Sequence, residues 1–164
     1  MVVTEVTLRP ATEADVEATT EIQAAAYWSN FNELEPGSHD HPGYYDKVMA
    51  GAKADAIADW SNTIIAEFSN QPIAVCILEF DPALLSGLWV KPEMQGKGIG
   101  GLLIADAFER FKKRGDTLIK IEVHPRSPAV RLYERSGFKL VEVTTRRSNG
   151  LGRDLPLWVM TRSI

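Results

Sequence analysis

Cysteine is nearly absent from this chain of 164 residues, which contains one, Cys76. A single cysteine excludes an internal disulfide, and its apolar neighbours favour a buried thiol over a catalytic one. Long apolar runs are also missing, since the longest, Ile73 to Leu78, is far too short to cross a bilayer. The first ten residues have no basic start followed by an apolar stretch. We therefore expect no signal peptide, no membrane partner and a cytoplasmic protein.

Basic residues are scarce in the first part of the chain. Residues 1–94 hold 4 Lys or Arg against 15 Asp or Glu, whereas residues 95–147 hold 12 against 6. The first part is therefore suited to a cation and the second to an anion, unless the charges merely fall unevenly over the surface. The pI is near 5.4 and no basic stripe alternates with aromatic residues, so nucleic acid is not expected as a partner.

The periodicity of the chain alternates between strands and helices, with no internal repeat. Helices are predicted over 13–28, 44–60 and 98–114, with a short one after Ser127. Strands are predicted over 3–8, 62–68, 73–80, 84–90, 118–123, 138–143 and 155–160, with polar loops over 30–43 and 146–153. We interpret residues 1–164 as a single mixed α/β domain whose sheet is covered on both faces.

A glycine-rich turn joins the strand that ends at Val90 to the clearest helix of the chain. Its four glycines lie within six residues, at positions 96, 98, 100 and 101. A helix start exposes N–H groups that have no partner, and the helix dipole adds partial positive charge there. Glycines let a ligand approach the backbone closely. The turn is therefore predicted to bind a pyrophosphate.

Two other phosphate motifs are weaker interpretations of the same turn. The glycines satisfy the dinucleotide pattern G-x-G-x-x-G, and Glu122 lies roughly where an acid that binds ribose belongs. However, five residues including Pro92 separate the strand from the first glycine, and Glu122 lies inside its strand. The Walker pattern fails because no Gly-Lys-Ser/Thr occurs. A plain strand-to-helix turn explains about two of the four glycines.

The segment from Val90 to Gly100 resembles the acetyl-CoA-binding signature of the GCN5-related N-acetyltransferase (GNAT) family. It has a valine, a proline two residues on, and then Gln-Gly-x-Gly-x-Gly. Leu132-Tyr133 followed by Gly137-Phe138 resembles the later signature of that family, and residues 8–15 are similar to its opening strand and helix. The resemblance covers nearly the whole chain. It implies a mixed, mostly antiparallel sheet of six or seven strands, split between two parallel strands, with helices on both faces.

The same resemblance implies acetyl-CoA as co-substrate, with its pantetheine arm in the split. Leu88 and Val90 are then expected to present backbone groups to the arm, and the Leu88 N–H to polarise the thioester carbonyl. Arg126 stands three residues before Ala129, where the family often has an asparagine, and is a candidate ligand for a phosphate instead. The residues implied for the coenzyme are Leu88, Trp89, Val90, Gln95, Gly96, Lys97, Gly98, Ile99, Gly100, Gly101, Arg126 and Ala129.

Two residues are candidates for catalysis. Tyr133 is where the family commonly has a tyrosine that hydrogen-bonds the leaving sulfur, although its place on an apolar helix face also suits a core residue. Glu79, at the end of a strand beside the expected split, is the first choice for a general base, with His39, Asp40 and His41 as alternatives. These histidines lack companion ligands at useful spacing, so no metal site is expected.

The acceptor side is expected in the acidic first part of the chain. Residues 30–46 contain four acids and no Lys or Arg, beside five aromatic residues of 27–45. This composition suits a cationic amine with an apolar part, or a solvated loop. The residues predicted to bind the acceptor are Tyr27, Phe31, Glu33 and Tyr44. We expect transfer of an acetyl group to a small cationic or amino-acid-like primary amine in a ternary complex. A protein N-terminal acetyltransferase and a non-catalytic acyl-CoA sensor are the alternatives, and the family makes a homodimer plausible.

Overall fold

The structure, a computed structural model, describes residues 3–164. One sheet contains seven strands in the order β1-β2-β3-β4-β5-β7-β6. The strands are β1 (Thr7–Pro10), β2 (Thr63–Phe68), β3 (Gln71–Glu79), β4 (Leu84–Val90), β5 (Leu118–Val123), β6 (Lys139–Ser148) and β7 (Arg153–Ser163). The α-helices are α1 (Val16–Leu34), α2 (Tyr44–Asp59), α3 (Ile99–Arg114) and α4 (Ala129–Arg135).

Neighbouring strands of the sheet are antiparallel everywhere except between β4 and β5, which are parallel. The connection between these two strands is α3, because parallel neighbours need a long crossover. The predicted mixed, mostly antiparallel sheet with one parallel pair is therefore confirmed.

The helices cover the two faces of the sheet. Helices α3 and α4 pack on one face, where alternate strand residues such as Cys76, Ile119 and Ile121 join the buried side of α3 in the largest core cluster. The regular apolar spacing of α3 produces this buried side. Helix α1 packs on the other face over β3 and β4, where Ile22 contacts the cluster of Ile65 and Val75. We call these the coenzyme face and the acceptor face.

The boundaries differ most from the predicted ones in three regions. The first strand is Thr7–Pro10, because Val3–Glu5 form a 3-10 turn. Helix α1 continues to Leu34 instead of ending at residue 28, since no proline or glycine interrupts it before Pro36 and its last turn buries Phe31. The hairpin of β6 and β7 extends to Ser148 and Arg153, so the predicted loop over 146–153 shrinks to four residues.

Candidate active site

The sheet opens between β4 and β5. Leu84 and Lys120 are the one residue pair that joins these strands in the described chain, and the Lys120 N–H also donates to the Ala83 carbonyl over 3.0 Å. The pairing of β3 with β4 skips one residue between Gly87 and Leu85, which places a β-bulge in β4 directly after this pair. A bulge bends its strand and increases its twist. Strand β4 therefore diverges from β5 beyond the bulge, and this produces the expected split.

The hydrogen bonds of β4 show which amides face the split. The N–H of Lys91 donates to the Ile73 carbonyl on β3 over 2.9 Å. Successive N–H groups of a strand point to opposite sides, so the N–H groups of Leu88 and Val90 point away from β3 and into the split. The Gln95 side chain donates to the Val90 carbonyl over 3.0 Å and closes the end of this edge.

The glycine-rich turn ends at the start of α3. Gly96 and Gly98 adopt left-handed φ values of 73° and 84°, which glycine tolerates without strain. The N–H of Leu102 donates to the Gly98 carbonyl over 3.2 Å, and the N–H groups of residues 99–101 precede that bond and face out of the helix end. Ile99 is 1 % exposed, so its side chain anchors the turn while its amide stays at the helix end.

The two remaining glycines have different surroundings. A Cβ on Gly100 would lie 2.8 Å from the Leu132 side chain of α4, so this glycine permits close packing of two helices. A Cβ on Gly101 would meet nothing within 4 Å, and Gly101 has no left-handed φ. The left-handed φ thus explains the glycines at 96 and 98, and close helix packing explains Gly100. Neither reason applies to Gly101, which faces open space.

Tyr133 of α4 is buried on the coenzyme face, with its ring 5.9 Å from that of Phe138. Burial raises the pKa of its hydroxyl, and the Cys76 thiol adds to that rise. Cys76 is the register partner of Leu88. The hydroxyl therefore lies near the strand edge whose amides face the split, and it stays protonated throughout the physiological pH range.

Arg126 contacts the acceptor face and not the glycine-rich turn. Its guanidinium donates to the Glu35 carboxylate over 3.0 Å and to the Leu34 carbonyl at the end of α1. Ala129 begins α4 and is half-buried against the main core. The role of Arg126 as a phosphate ligand remains a prediction.

Strand β5 carries one carboxylate, that of Glu122, beside the split. Ile119, Ile121 and Val123 are buried on the coenzyme face, so Glu122 points to the acceptor face by alternation. Burial would raise the pKa of Glu122, but hydrogen bonding to Lys120 and the charge of Arg146 outweigh it and lower this pKa. The dinucleotide pattern of the sequence suggested Glu122 only as a ribose ligand. The alternation of β5 was the signal that could have identified its true surroundings.

His124 lies just past the end of β5 at Val123. Its Nδ1 accepts from the Arg126 backbone N–H over 3.2 Å, and its Nε2 lies 3.4 Å from Glu35. The acceptor role of Nδ1 assigns the proton to Nε2. Burial lowers the pKa of His124. Because both nitrogens are engaged, we interpret this neutral imidazole as a structural group and not as a base.

Glu35 is the centre of a buried ionic cluster on the acceptor face. Its carboxylate is 10 % exposed and contacts His124, Arg126 and, over 3.5 Å, Arg153 at the start of β7. The cluster joins the end of α1 to β5 and to the hairpin of β6 and β7. The acidic segment predicted to attract a cation therefore contributes a carboxylate that three basic groups already surround.

The predicted acceptor-binding aromatics lie where the hairpin tip docks on α1 and α2. Tyr27 stacks on Phe31 with ring centroids 4.5 Å apart, and its hydroxyl is 2.7 Å from that of Tyr44. Leu151 of the tip is buried with Phe31 and Tyr44. A Cβ on Gly150 would lie 2.8 Å from the Tyr44 ring, so the tip contacts this ring closely. The hairpin therefore bridges the open side of the acceptor face.

Trp89 and Glu33 differ in exposure. Trp89 extends from β4 onto the acceptor face, with its ring 6.0 Å from that of Tyr27, while Glu33 is exposed on α1. Lys97 is exposed within the glycine-rich turn. These positions allow contact with ligands, and the roles assigned to the three residues remain predictions.

Glu79 is not beside the mouth of the split. It pairs with Leu84, at the end where β4 and β5 still meet, and it is exposed. Burial raises the pKa of Asp59 at the end of α2, and the charge of Glu79 raises it further. The role of general base assigned to Glu79 stays a prediction, but Glu122 is nearer in register to the opened strand edge.

Two absences among the described residues bear on other chemistry. Between residues 3 and 164, no helix combines the length and apolarity needed to span a membrane. Within the same range, no three His, Cys, Asp or Glu side chains cluster in a way that would hold a metal ion.

Comparison with known proteins decides the family. Residues 44–153 match the family model of the acetyltransferase (GNAT) domain, which is more than half of the chain. The chain belongs to the GNAT acetyltransferase family. The predicted enzyme class, acetyl-CoA-dependent N-acetyltransferase, is thereby confirmed, and acetyl-CoA is confirmed as the co-substrate at the level of the family.

The relatives of this acetyltransferase share part of their sequence or the fold. A ribosomal protein bS18-alanine N-acetyltransferase of Escherichia coli is 28% identical over 79% of this chain and 81% of its own length. Its counterpart in Haemophilus influenzae is 34% identical, and this chain spans about half of it, 53%. The crystal structure of PaiA N-acetyltransferase from Thermoplasma acidophilum in complex with coenzyme A has a TM-score of 0.77 at 19% identity, with 97% of this chain and 99% of that one covered.

Proposed function

We propose that this acetyltransferase transfers the acetyl group of acetyl-CoA to the α-amine at the N-terminus of a polypeptide, by direct attack in a ternary complex. The observation that carries the proposal is the weakness of the base available at the split. Glu122 is the carboxylate that faces the opened edge of β5, and its pKa is lowered by Lys120 and Arg146. A carboxylate held in this way is a poor proton acceptor.

A weak base suits an α-amine better than an alkylamine. An α-amine has a pKa of about 7.7–8.0, so roughly a quarter of it is already neutral at pH 7.4. An amine like that of lysine, with a pKa of about 10.4, is about 0.1% neutral there, which costs roughly 4 kcal/mol unless a base helps. The ion-paired Glu122 is adequate for the first amine and inadequate for the second.

The bridged acceptor face also favours a chain end. The tip of the β6–β7 hairpin packs against Phe31 and Tyr44, so a ligand must enter beneath it. An N-terminus is able to enter such a passage end-on. A lysine side chain in the middle of a polypeptide would need room for the backbone on both sides of it. The names of the two bacterial relatives, which acetylate an alanine of a ribosomal protein, agree with this substrate class.

The coenzyme face supplies the remaining parts of the mechanism. The amides of residues 99–101 would hold the pyrophosphate, and the Leu88 N–H would stabilise the negative charge that develops on the thioester oxygen. As the amine nitrogen forms the amide bond, the carbon–sulfur bond breaks, the surplus proton of the nitrogen passes to Glu122 or to solvent, and Tyr133 donates a hydrogen bond to the departing thiolate. With its raised pKa, Tyr133 acts best by stabilising this thiolate and not by losing its proton. The mechanism requires residues 1–164 to act as one domain.

A small cationic amine is the second candidate, because the aromatic rings of Tyr27 and Trp89 lie on the acceptor face and attract cations. A panel that contains both classes separates them. Purified enzyme is given acetyl-CoA with short peptides that have free N-termini, the same peptides with blocked N-termini and one lysine, or polyamines, and the released thiol is measured. We expect release with free N-termini only. Release with polyamines alone would contradict the proposal, and binding of acetyl-CoA without any release would contradict turnover on both classes.

A further inference from the structure

Charge on the acceptor face is arranged in two layers. The carboxylates lie underneath, since the Glu35 and Glu122 side chains are 10 % and 20 % exposed. The guanidinium groups that contact them lie above, since the Arg126, Arg146 and Arg153 side chains are 57 %, 61 % and 49 % exposed. An entering ligand therefore meets arginine before it meets carboxylate.

The balance of the groups that contact Glu35 and Glu122, together with these two carboxylates, is positive. Four cationic side chains, those of Lys120, Arg126, Arg146 and Arg153, contact two carboxylates. The neighbouring imidazole of His124 is neutral because burial lowers its pKa. Guanidinium groups present several donors in one plane, so an arginine that contacts one carboxylate is able to bind a second.

The acidic residues of the α1–α2 segment do not cancel this balance by contact. Glu33, Asp40 and Asp46 are exposed. Among the ion pairs of residues 3–164, none joins these three to the arginines of the acceptor face. Their charges are solvated and screened over a distance of about 10 Å at ordinary salt.

We infer that the acceptor of this enzyme carries negative charge close to its amine, and that Arg126, Arg146 and Arg153 select a polypeptide N-terminus followed by acidic side chains. The inference rests on the proposed function, since it specifies the substrate at the same site. It reverses the expectation from sequence, in which the acidic first part of the chain attracts a cation.

Peptides that differ only in charge test the selection. The first residue is kept as alanine and the next two are both glutamate, both glutamine or both lysine, and kcat/KM is measured for each at low and at high salt. We expect glutamate to exceed lysine by about tenfold at low salt, with glutamine between them. The ratio should fall towards one at high salt, because exposed charges are screened.

Variants assign the selection to the arginines. Arg153→Gln combined with Arg146→Gln should lower the ratio of glutamate to lysine peptide most of the way to one, since only Arg126 is left, with the KM for acetyl-CoA unchanged. Arg147→Gln is the matched control, because Arg147 lies on the same strand as Arg146 but pairs with Asp154 across the hairpin. It should leave the ratio at the native value. Circular dichroism checks that each variant is folded.

The outcomes separate the two proposals. Equal kcat/KM for the three peptides, or a preference for lysine, would overturn the charge selection and leave N-terminal acetylation standing. A native ratio that survives the loss of both arginines would overturn their assignment. If no peptide with a free N-terminus is acetylated, the proposed function is wrong and the selection falls with it.

Discussion

The coenzyme face and the acceptor face of the split draw on different numbers of chain segments. On the coenzyme face, the proposed mechanism uses one continuous segment, from Leu88 to Gly101, and one tyrosine from α4. The acceptor face draws on side chains from α1, α2, β4, β5, β6 and β7, which meet through ionic contacts such as Glu35 with Arg153 and through apolar contacts such as Leu151 with Phe31. Backbone amides bind phosphate whatever the side chains are, whereas selection of an acceptor depends on side-chain placement.

The difference predicts that the two faces respond to separate changes. A substitution at the start of α3 should alter the affinity for acetyl-CoA without altering which amine is used. A substitution in the hairpin or in β5 should do the reverse. The following experiments test this separation, beginning with the largest expected effect.

A glutamate at Gly101 should abolish coenzyme binding. The position has open space for a side chain, and a carboxylate there would face the pyrophosphate, a repulsion of several kcal/mol or about a hundredfold or more in affinity. The fold should persist or gain stability, because acidic residues favour helix N-termini and glycine disfavours helices. Isothermal titration calorimetry with coenzyme A and thermal unfolding measure the two effects.

Gly101→Gln is the control, because it has nearly the same shape and no charge. It should bind coenzyme A far more tightly than the glutamate variant. Equal affinities for both variants, or native affinity for the glutamate variant, would show that the pyrophosphate does not bind at this helix end. Gly98 is a poorer position for this test, since its φ of 84° strains any other residue.

Replacement of Tyr133 by phenylalanine should lower kcat about 10²-fold, because the departing thiolate loses its hydrogen bond. Stability and affinity for acetyl-CoA should stay near native values, since a phenyl ring fills the same buried space beside Phe138. Steady-state kinetics and calorimetry check both statements. Native kcat would assign Tyr133 to the core alone.

Replacement of Glu122 by glutamine should lower kcat/KM for the peptide by about tenfold, a modest loss because the α-amine supplies much of its own neutral form. For the native enzyme, kcat/KM should rise with pH up to about 8, following the pKa of the amine. Glu79→Gln is the competing variant, since Glu79 lies at the closed end of the split. A larger loss with Glu79→Gln than with Glu122→Gln would restore Glu79 as the base.

Replacement of Leu151 by alanine should have the smallest effect on chemistry. Loss of its buried contact with Phe31 and Tyr44 should loosen the hairpin tip and raise the KM for the peptide a few-fold, at a cost of about 2 kcal/mol in stability. The KM for acetyl-CoA should not change. Val143→Ala, at a position that is 69 % exposed on the same hairpin, is the control. An altered KM for acetyl-CoA would mean that the two faces are coupled.

Sequence patterns predicted much of the framework because the evidence for it is local. The apolar spacing of α3 and the glycines before it identify a helix and its exposed amides without knowledge of the rest of the chain. The predicted loop over 30–43 was wrong in its first five residues, and the predicted loop over 146–153 was too long. Both errors lie where long-range contacts extend an element, since Phe31 and Leu151 are buried against each other's segments.

The amino-acid sequence by itself determined which segments alternate as strands, where a helix starts with exposed amides, and which family these motifs resemble. Each of these features is encoded within a few consecutive residues. Only the tertiary structure decided which charges meet at the acceptor face. Glu35 was counted among the acids that attract a cation, yet the fold surrounds it with Arg126, Arg153 and His124, from positions about ninety to almost one hundred and twenty residues away. The sign of a site depends on such neighbours in space, and no local pattern records them.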